Sequence, residues 1–407
     1  MTPQTGPVSR PTRPTTAVPV VIAALAFSVN MMGMTLPAPL YPIYQTRFGF
    51  SDLSITVIFA IYAIGVIGTL LSTGPWSDQL GRRPILGVGL LLAGLSSLLF
   101  LFGGSLWVFL VARFTSGISA GLFAAAGTVY IVELAPERWQ RHAPLIATVA
   151  NMGGLGLGAI AAGAMAQYTY SPLRAVFVWH LLTVAISGVA LARLPETIAR
   201  PAHPKLTYQS LGLPPQARGV FVPAAIAGFA AFAVLGLFTS IAPAILGRVL
   251  HETNHALIGG IIFSVFLSSL LGQIGQQRLR ETQRLPTGCL VLAGGMGLAV
   301  ASQLADSLAL LIIGGLAAGI GHGVIFRAGL GAVLDTSPPT QRGAIAATYF
   351  TLVYVAVSLP VIGLGVAIET FGLKTAGLLF CGIVTAVAGI ALALLQRSRG
   401  QTNTPAS

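Results

Sequence analysis

Ten carboxylates occur in the sequence, Asp52, Asp78, Glu133, Glu137, Glu196, Glu252, Glu281, Asp306, Asp335 and Glu369, and none lies near the middle of an apolar run. A buried Asp or Glu that loads and releases a proton as burial raises its pKa is therefore not expected. What the apolar runs offer instead is Asn30, Arg113, Asn151, His180, His322 and Arg327, a balance that is neutral to positive. His322 is placed about 22 Å into a helix of about 42 Å, at 1.5 Å per residue, where an imidazole can exchange a proton or touch a substrate or serve as a hydrogen-bonded interior group. Arg327, five residues on, does not share one narrow helix face with it. His180, beside Trp179, lies closer to a membrane surface. An organic cation would find no counter-charge here to offset its lost hydration. Neutral, zwitterionic or anionic cargo is expected, although Phe229, Phe232, Phe238, Tyr349 and Tyr354 offer aromatic faces. No nucleotide loop, metal-ligand cluster or nucleophile triad is present. An enzyme, a metal, a bound cofactor and ATP-driven pumping are thus not expected.

The residues that position these groups are overwhelmingly apolar. Of 407 residues 55% are hydrophobic and 8% charged, against roughly 25% charged in soluble domains, and the mean hydropathy is +0.84. A crossing needs about 20 apolar residues, so the length accommodates roughly 12 spans with loops. The 49 glycines suit close helix packing in lipid. Apolar runs fall at 17–43, 53–77, 85–104, 106–134, 143–168 and 173–193, then at 219–247, 255–276, 285–304, 307–334, 343–368 and 371–396. The stretch PETIARPAHPKLTYQSLGLPPQAR between them carries five prolines and scattered charges that prevent a continuous span. The expected organisation is a tail 1–16, a six-helix bundle 17–193, a linker 194–218, a second bundle 219–396 and a tail 397–407. The sequence is predicted to be an all-α membrane protein of two pseudo-symmetric bundles.

The net charge of +12 does not point to nucleic acid, because sixteen of the 22 Lys and Arg residues lie in loops and tails on the side of the N-terminus. Four lie opposite, and Arg113 and Arg327 lie within helices. This asymmetry places both termini in the cytoplasm of a bacterial-type inner membrane. Cys289 and Cys381 both sit in apolar runs and read as packing residues. The first run follows a Pro- and Thr-rich segment without a cleavage site and is expected to be kept as a helix. The halves also correspond: GPWSDQLGRRP, Gly74 to Pro84, follows the second run, and GQIGQQRLR, Gly272 to Arg280, follows the eighth, with Gln276 in place of the acid.

Six plus six helices with that loop resemble the major facilitator superfamily of secondary transporters, in particular its 12-helix drug and metabolite exporters, over nearly the whole chain. Gly74, Asp78, Gly81, Arg82 and Arg83 match the family's loop pattern. Gly74 permits close helix approach and Gly81 a tight turn. The resemblance implies that Asp78 pairs with Arg82 and caps the start of the eleventh helix near Gly343, locking an outward-facing state, with Glu133 as a second acid for Arg82. Without the resemblance, the loop reads as a turn with orientation charges. RFTSGISAG resembles the family's second motif through Arg113, Gly117 and Gly121. Arg113, about 10 Å inside the membrane, would face a cavity or bond to carbonyls of the first helix. Gly154, Gly158 and Gly163 in NMGGLGLGAIAAG resemble the antiporters' glycine motif, with Ala159 where that motif has proline and Ala162 replacing a further glycine; they read equally as small residues packed against the eighth helix.

The expected function is alternating-access transport around a site between two repeats, as a proton-coupled exporter of a drug or metabolite, monomeric as the family implies. Uptake of an organic anion, sugar or amino-acid-like nutrient is equally compatible with the acid-poor interior. A membrane receptor or enzyme is the remote alternative, since the outer loops are short and the histidines scattered.

Overall fold

The computed structural model describes residues 16–73, 75–201 and 203–402; Arg10, Arg13 and Gly74 fall outside the described residues. The described chain is helical, without a strand among the described residues. Among the described residues twelve segments are long and apolar enough to cross a membrane, and helices satisfy their backbone groups within each segment, as hydrocarbon requires.

Two spans are broken where the sequence shows one apolar run. The first comprises α1 (Val18–Thr35), a single turn Ala38–Leu40 and α2 (Tyr41–Phe48); prolines at 37, 39 and 42 interrupt its helical bonding. α3 (Asp52–Thr73), the short α4 (Trp76–Leu80), α5 (Arg82–Phe102), α6 (Leu106–Leu134), α7 (Ala143–Tyr168) and α8 (Pro172–Ala192) complete the first bundle. The second opens with α9 (Arg218–Ser240), broken before Pro243 from α10 (Ala242–Arg248). It continues with α11 (His255–Gly275), α12 (Glu281–Leu304), α13 (Leu308–Asp335), α14 (Arg342–Phe371) and α15 (Leu373–Thr402). α15 runs into the segment read from sequence as a tail.

The bundles meet chiefly along α3 with α14 and α7 with α11. Glycines set these distances. A Cβ on Gly117 would overlap the Tyr62 carbonyl of α3, and one on Gly121 would come 2.7 Å from Thr69 Cβ, so α6 lies directly on α3. Of the five glycines of α7, the three read from sequence as a motif divide their work, contrary to the single contact with the eighth span read from sequence. Gly154 and Gly158 lie against Ser28 and Met32 of α1, and only Gly163 reaches that span, against His255 and Gly259 of α11.

The linker crosses from one bundle to the other at one end of the molecule, here the linker end; the opposite is the far end. There Gln209 N donates to Leu71 O at 2.7 Å, Trp76 Nε1 to Thr207 O at 3.1 Å, and Gly212 N to Thr348 Oγ1 at 3.0 Å. Through the linker these bonds tie the last turn of α3 and the start of α4 to the first turns of α14.

Candidate functional site

Arg82, the first residue of α5, organises a charged cluster at the linker end. Its side chain is 9% exposed and reaches Asp78 Oδ1 at 2.5 Å, Ser77 Oγ at 2.5 Å and both Glu133 oxygens at 3.3 Å. Thr197 Oγ1 donates to Glu133 at 2.5 Å. The turn before α5 depends on Gly81, whose φ of 105° disfavours any side chain and whose Cβ position is filled by the Glu196 carboxylate. That carboxylate accepts from Arg82 N at 3.0 Å and Arg83 N at 3.3 Å, satisfying two orphan donors where the helix dipole favours an anion. Arg83 donates to Leu194 O at 2.9 Å. Asp78 and Glu133 are thus both on Arg82, but Asp78 does not cap the eleventh span: the atoms nearest the Cβ position of Gly343 belong to Gln209. The linker lies over that helix start and the Asp78 carboxylate stays 60% exposed.

Between the bundles lies a cavity of about 380 Å³. At the linker end it is lined by the exposed Thr128, Pro144 and Arg327, and it extends inward to Thr35, Thr239 and Val357. Arg113 and Arg327 are its charged lining groups; no Asp or Glu lines it among the described residues. Beyond it the bundles close. Arg248 Nη2 meets Asp52 Oδ1 at 2.5 Å, Gln45 Nε2 donates to Asp52 at 2.7 Å, His255 N donates to Gln167 Oε1 at 2.9 Å, and its ring Nδ1 lies 3.2 Å from Pro39 O. Gly259 lies on Ala159 O and Gly163, and Gly365 on Thr56. The cavity therefore opens at one end only.

Arg113 is fully buried. It donates to Met34 O at 2.8 Å and Phe59 O at 3.5 Å, with its guanidinium carbon 4.8 Å from the Tyr62 ring centroid. Carbonyls of α1 and α3 and an aromatic face thus replace the hydration it lost; it borders the cavity and also clamps three helices. Asn151 and Tyr354 line the cavity, Tyr354 edge-on to Tyr62. His322 lines it as well, with Nδ1 2.7 Å from Ser269 Oγ, Nε2 without a partner, and its ring between Phe232 and Phe326.

Two residues expected at a central site lie elsewhere. Asn30 accepts from Ser119 Oγ at 2.6 Å beside a void of about 10 Å³ within the first bundle, because α1 turns that face toward α5 and α6. Tyr349 is buried against Gly228 and Gly329 inside the second bundle. His180 has both ring nitrogens engaged, by Ser97 Oγ at 2.7 Å and Val29 O at 3.0 Å, and is structural. Sequence reasoning passed over Glu196, Ser269 and Gln273. Glu196 stands in a linker whose fold no periodicity reveals, and Gln273 sits inside GQIGQQRLR, where a loop pattern drew attention from the helix that continues through it.

A model of the family described as the Major Facilitator Superfamily matches residues 23–359. The chain is 27% identical over 351 residues to the Multidrug transporter MdfA of Edwardsiella ictaluri, covering 81% of each chain. It is 27% identical over 140 residues to Multidrug resistance protein 2 of Bacillus subtilis and 31% identical over 159 residues to the Inner membrane transport protein YnfM of Escherichia coli. These last two matches span 35% of each relative's length. Among solved structures, a bacterial homologue of the human lysosomal transporter Spinster, inward-facing and unoccupied, superposes with a TM-score of 0.73 at 17% identity, covering 97% of this chain and 100% of that one. The human organic anion transporter MFSD10 superposes with a TM-score of 0.65 at 20% identity, covering 94% and 100%. These structural likenesses show the fold.

Proposed function

The chain belongs to the major facilitator superfamily of transporters, and from that premise we propose that it exports a small organic molecule in exchange for protons. The observation that carries the transport reading is the cavity between the bundles, open at the linker end and closed by side-chain contacts at the other. The excess of basic residues at the linker end supports its placement in the cytoplasm, so that the cavity takes up its cargo from inside an inner membrane. Reorientation then breaks the far-end contacts and brings the linker-end faces of α6, α7 and α13 together, the rocking expected of two repeats around a fixed site. The multidrug relatives support export.

The cavity's charge supports neutral, zwitterionic or anionic cargo over cationic. For an anion the direction also suits the energetics. One anion leaving against one proton entering moves two charges the way an inside-negative potential favours, about 2.3 kcal/mol for each per about 100 mV.

Everted vesicles, with and without the protein, test the reading with a panel of anionic, zwitterionic and neutral aromatic compounds under an imposed pH gradient. At least one compound is expected to accumulate in a protein-dependent way and to draw down the gradient. Accumulation only in right-side-out vesicles would establish uptake instead, and accumulation indifferent to the gradient would remove proton coupling.

A further inference from the structure

The two walls of the cavity treat their cations differently. On the first-bundle wall Arg113 donates from its two terminal nitrogens to Met34 O and Phe59 O and lies over the Tyr62 ring, with its Nε alone left without a partner. On the second-bundle wall three groups remain uncommitted. His322 is fully buried, Ser269 Oγ holds its Nδ1 at 2.7 Å, and its Nε2 has no partner. Gln273 is 4% exposed, lines the cavity, and its side-chain nitrogen has no partner. Arg327 is exposed in the cavity with neither ion pair nor hydrogen bond among the described residues.

The backbone explains why His322 and Gln273 lie together, and Arg327 lines the same cavity nearer the linker end. A Cβ on Gly323 would overlap Ser269 O and come 2.9 Å from Gln273 N. The missing side chain therefore lets α13 lie on α11 with Ser269 opposite His322 and Gln273 one turn nearer the linker end. Helical side chains lean toward the N-terminus of their helix, which for Arg327 is toward His322. The Ser269 Oγ–His322 Nδ1 contact leaves Nε2 as the open ring nitrogen, which donates to an acceptor in the tautomer that carries its hydrogen there. Buried donors left unpaired cost stability in the empty state, so an acceptor that satisfies them gains it on binding. Phe232, Phe326, Phe350 and Tyr354 supply an apolar surface beside them.

We propose that Gln273, His322 and Arg327 form an anion subsite that takes the carboxylate head of an amphipathic organic acid, whose apolar body lies against the aromatic wall. This deepens the transport reading above and rests on it only for the cavity's role, since binding does not depend on the direction of transport. Arg327 supplies the charge and a planar fork matched to a carboxylate; His322 and Gln273 supply neutral donors to the same oxygens. A matched ammonium would meet the guanidinium as a like charge.

The test uses the purified full-length protein in detergent and three probes on one skeleton, phenylbutyrate, phenylbutyramide and phenylbutylammonium, with affinities read from ligand-induced thermal stabilisation. Phenylbutyrate is expected to bind about tenfold more tightly than the amide, and the ammonium more weakly than either. Arg327→Gln, at an exposed position, should reduce the acid-to-amide ratio to about threefold or less. Arg327→Lys should keep part of the preference, and Gln273→Leu should weaken the acid more than the amide. The proposal is overturned if the ammonium binds as tightly as the acid, if phenylbutyrate gives no stabilisation, or if Arg327→Gln leaves the ratio intact. Any of these could occur with export and proton coupling intact in vesicles, so the two readings fail separately.

Discussion

The far end and the linker end join the same two bundles by different means. At the far end the bundles touch directly, through Gly259 on Ala159 and Gly163, Gly365 on Thr56, and Arg248 on Asp52. The Arg248–Asp52 pair is the one ion pair between bundles among the described residues. At the linker end the tie is a strap, residues 207–212 bonded to α3 and α14, while α6, α7 and α13 part around the cavity mouth. A strap holds in either arrangement of the bundles, whereas a clasp holds in one. In the proposed alternation the far-end contacts would select the state, and the ion pair among them is modest, since a half-exposed pair contributes about 0–1 kcal/mol. A state held this way can be reversed by binding energies of ordinary size.

That contrast breaks most completely at Gly259. Gly259→Leu places atoms within the Ala159 carbonyl and should separate α7 from α11 at a cost of about 1–3 kcal/mol, seen as a lower unfolding temperature and greater labelling of far-end cysteine reporters. Wild-type labelling in this variant would mean that glycine packing does not close that end. Next in size is Glu196→Gln at the linker end, which weakens the anion on two α5 amides and should cost about 1–2 kcal/mol in thermal stability. Because this cluster lies within one bundle, far-end labelling should stay at wild-type level; a change there would join the two ends energetically. Arg248→Ala removes the inter-bundle pair and, at about 1 kcal/mol or less, should raise far-end labelling by no more than roughly fivefold with little change in unfolding temperature. The smallest stability effect is expected for Asp78→Asn, whose carboxylate is 60% exposed, below about 1 kcal/mol. A larger loss measured by thermal unfolding would show that Asp78 does more in the folded state than hold Arg82.

The sequence was most legible where one-dimensional rules apply. Span lengths follow from the bilayer, and the Asp78 to Arg83 loop carries its geometry locally because the i,i+4 spacing puts Asp78 and Arg82 in reach of each other. Legibility failed where the partner comes from a distant segment. Asn30 and Tyr349 are polar residues in apolar runs, as His322 is, yet they face into single bundles. With hydrophobic residues on nearly every face of these helices, no periodicity marks which side meets a cavity. Prolines at 37, 39, 42 and 243 did signal the breaks in the first and seventh spans, but the surrounding run remained apolar enough to read as continuous.

Composition and charge order by themselves determined a twelve-span membrane protein with a basic side, because hydrocarbon thickness and loop charge act on each segment separately. The tertiary structure alone decided which end is closed, that Gly154 and Gly158 serve α1 while Gly163 serves α11, and that Glu196 fills the space left by Gly81. It also set Ser269 against His322, leaving one imidazole nitrogen and Arg327 without partners among the described residues, in a cavity that none of the described acids lines. Each of these depends on helices meeting within van der Waals distance across gaps of many residues, which no local pattern encodes.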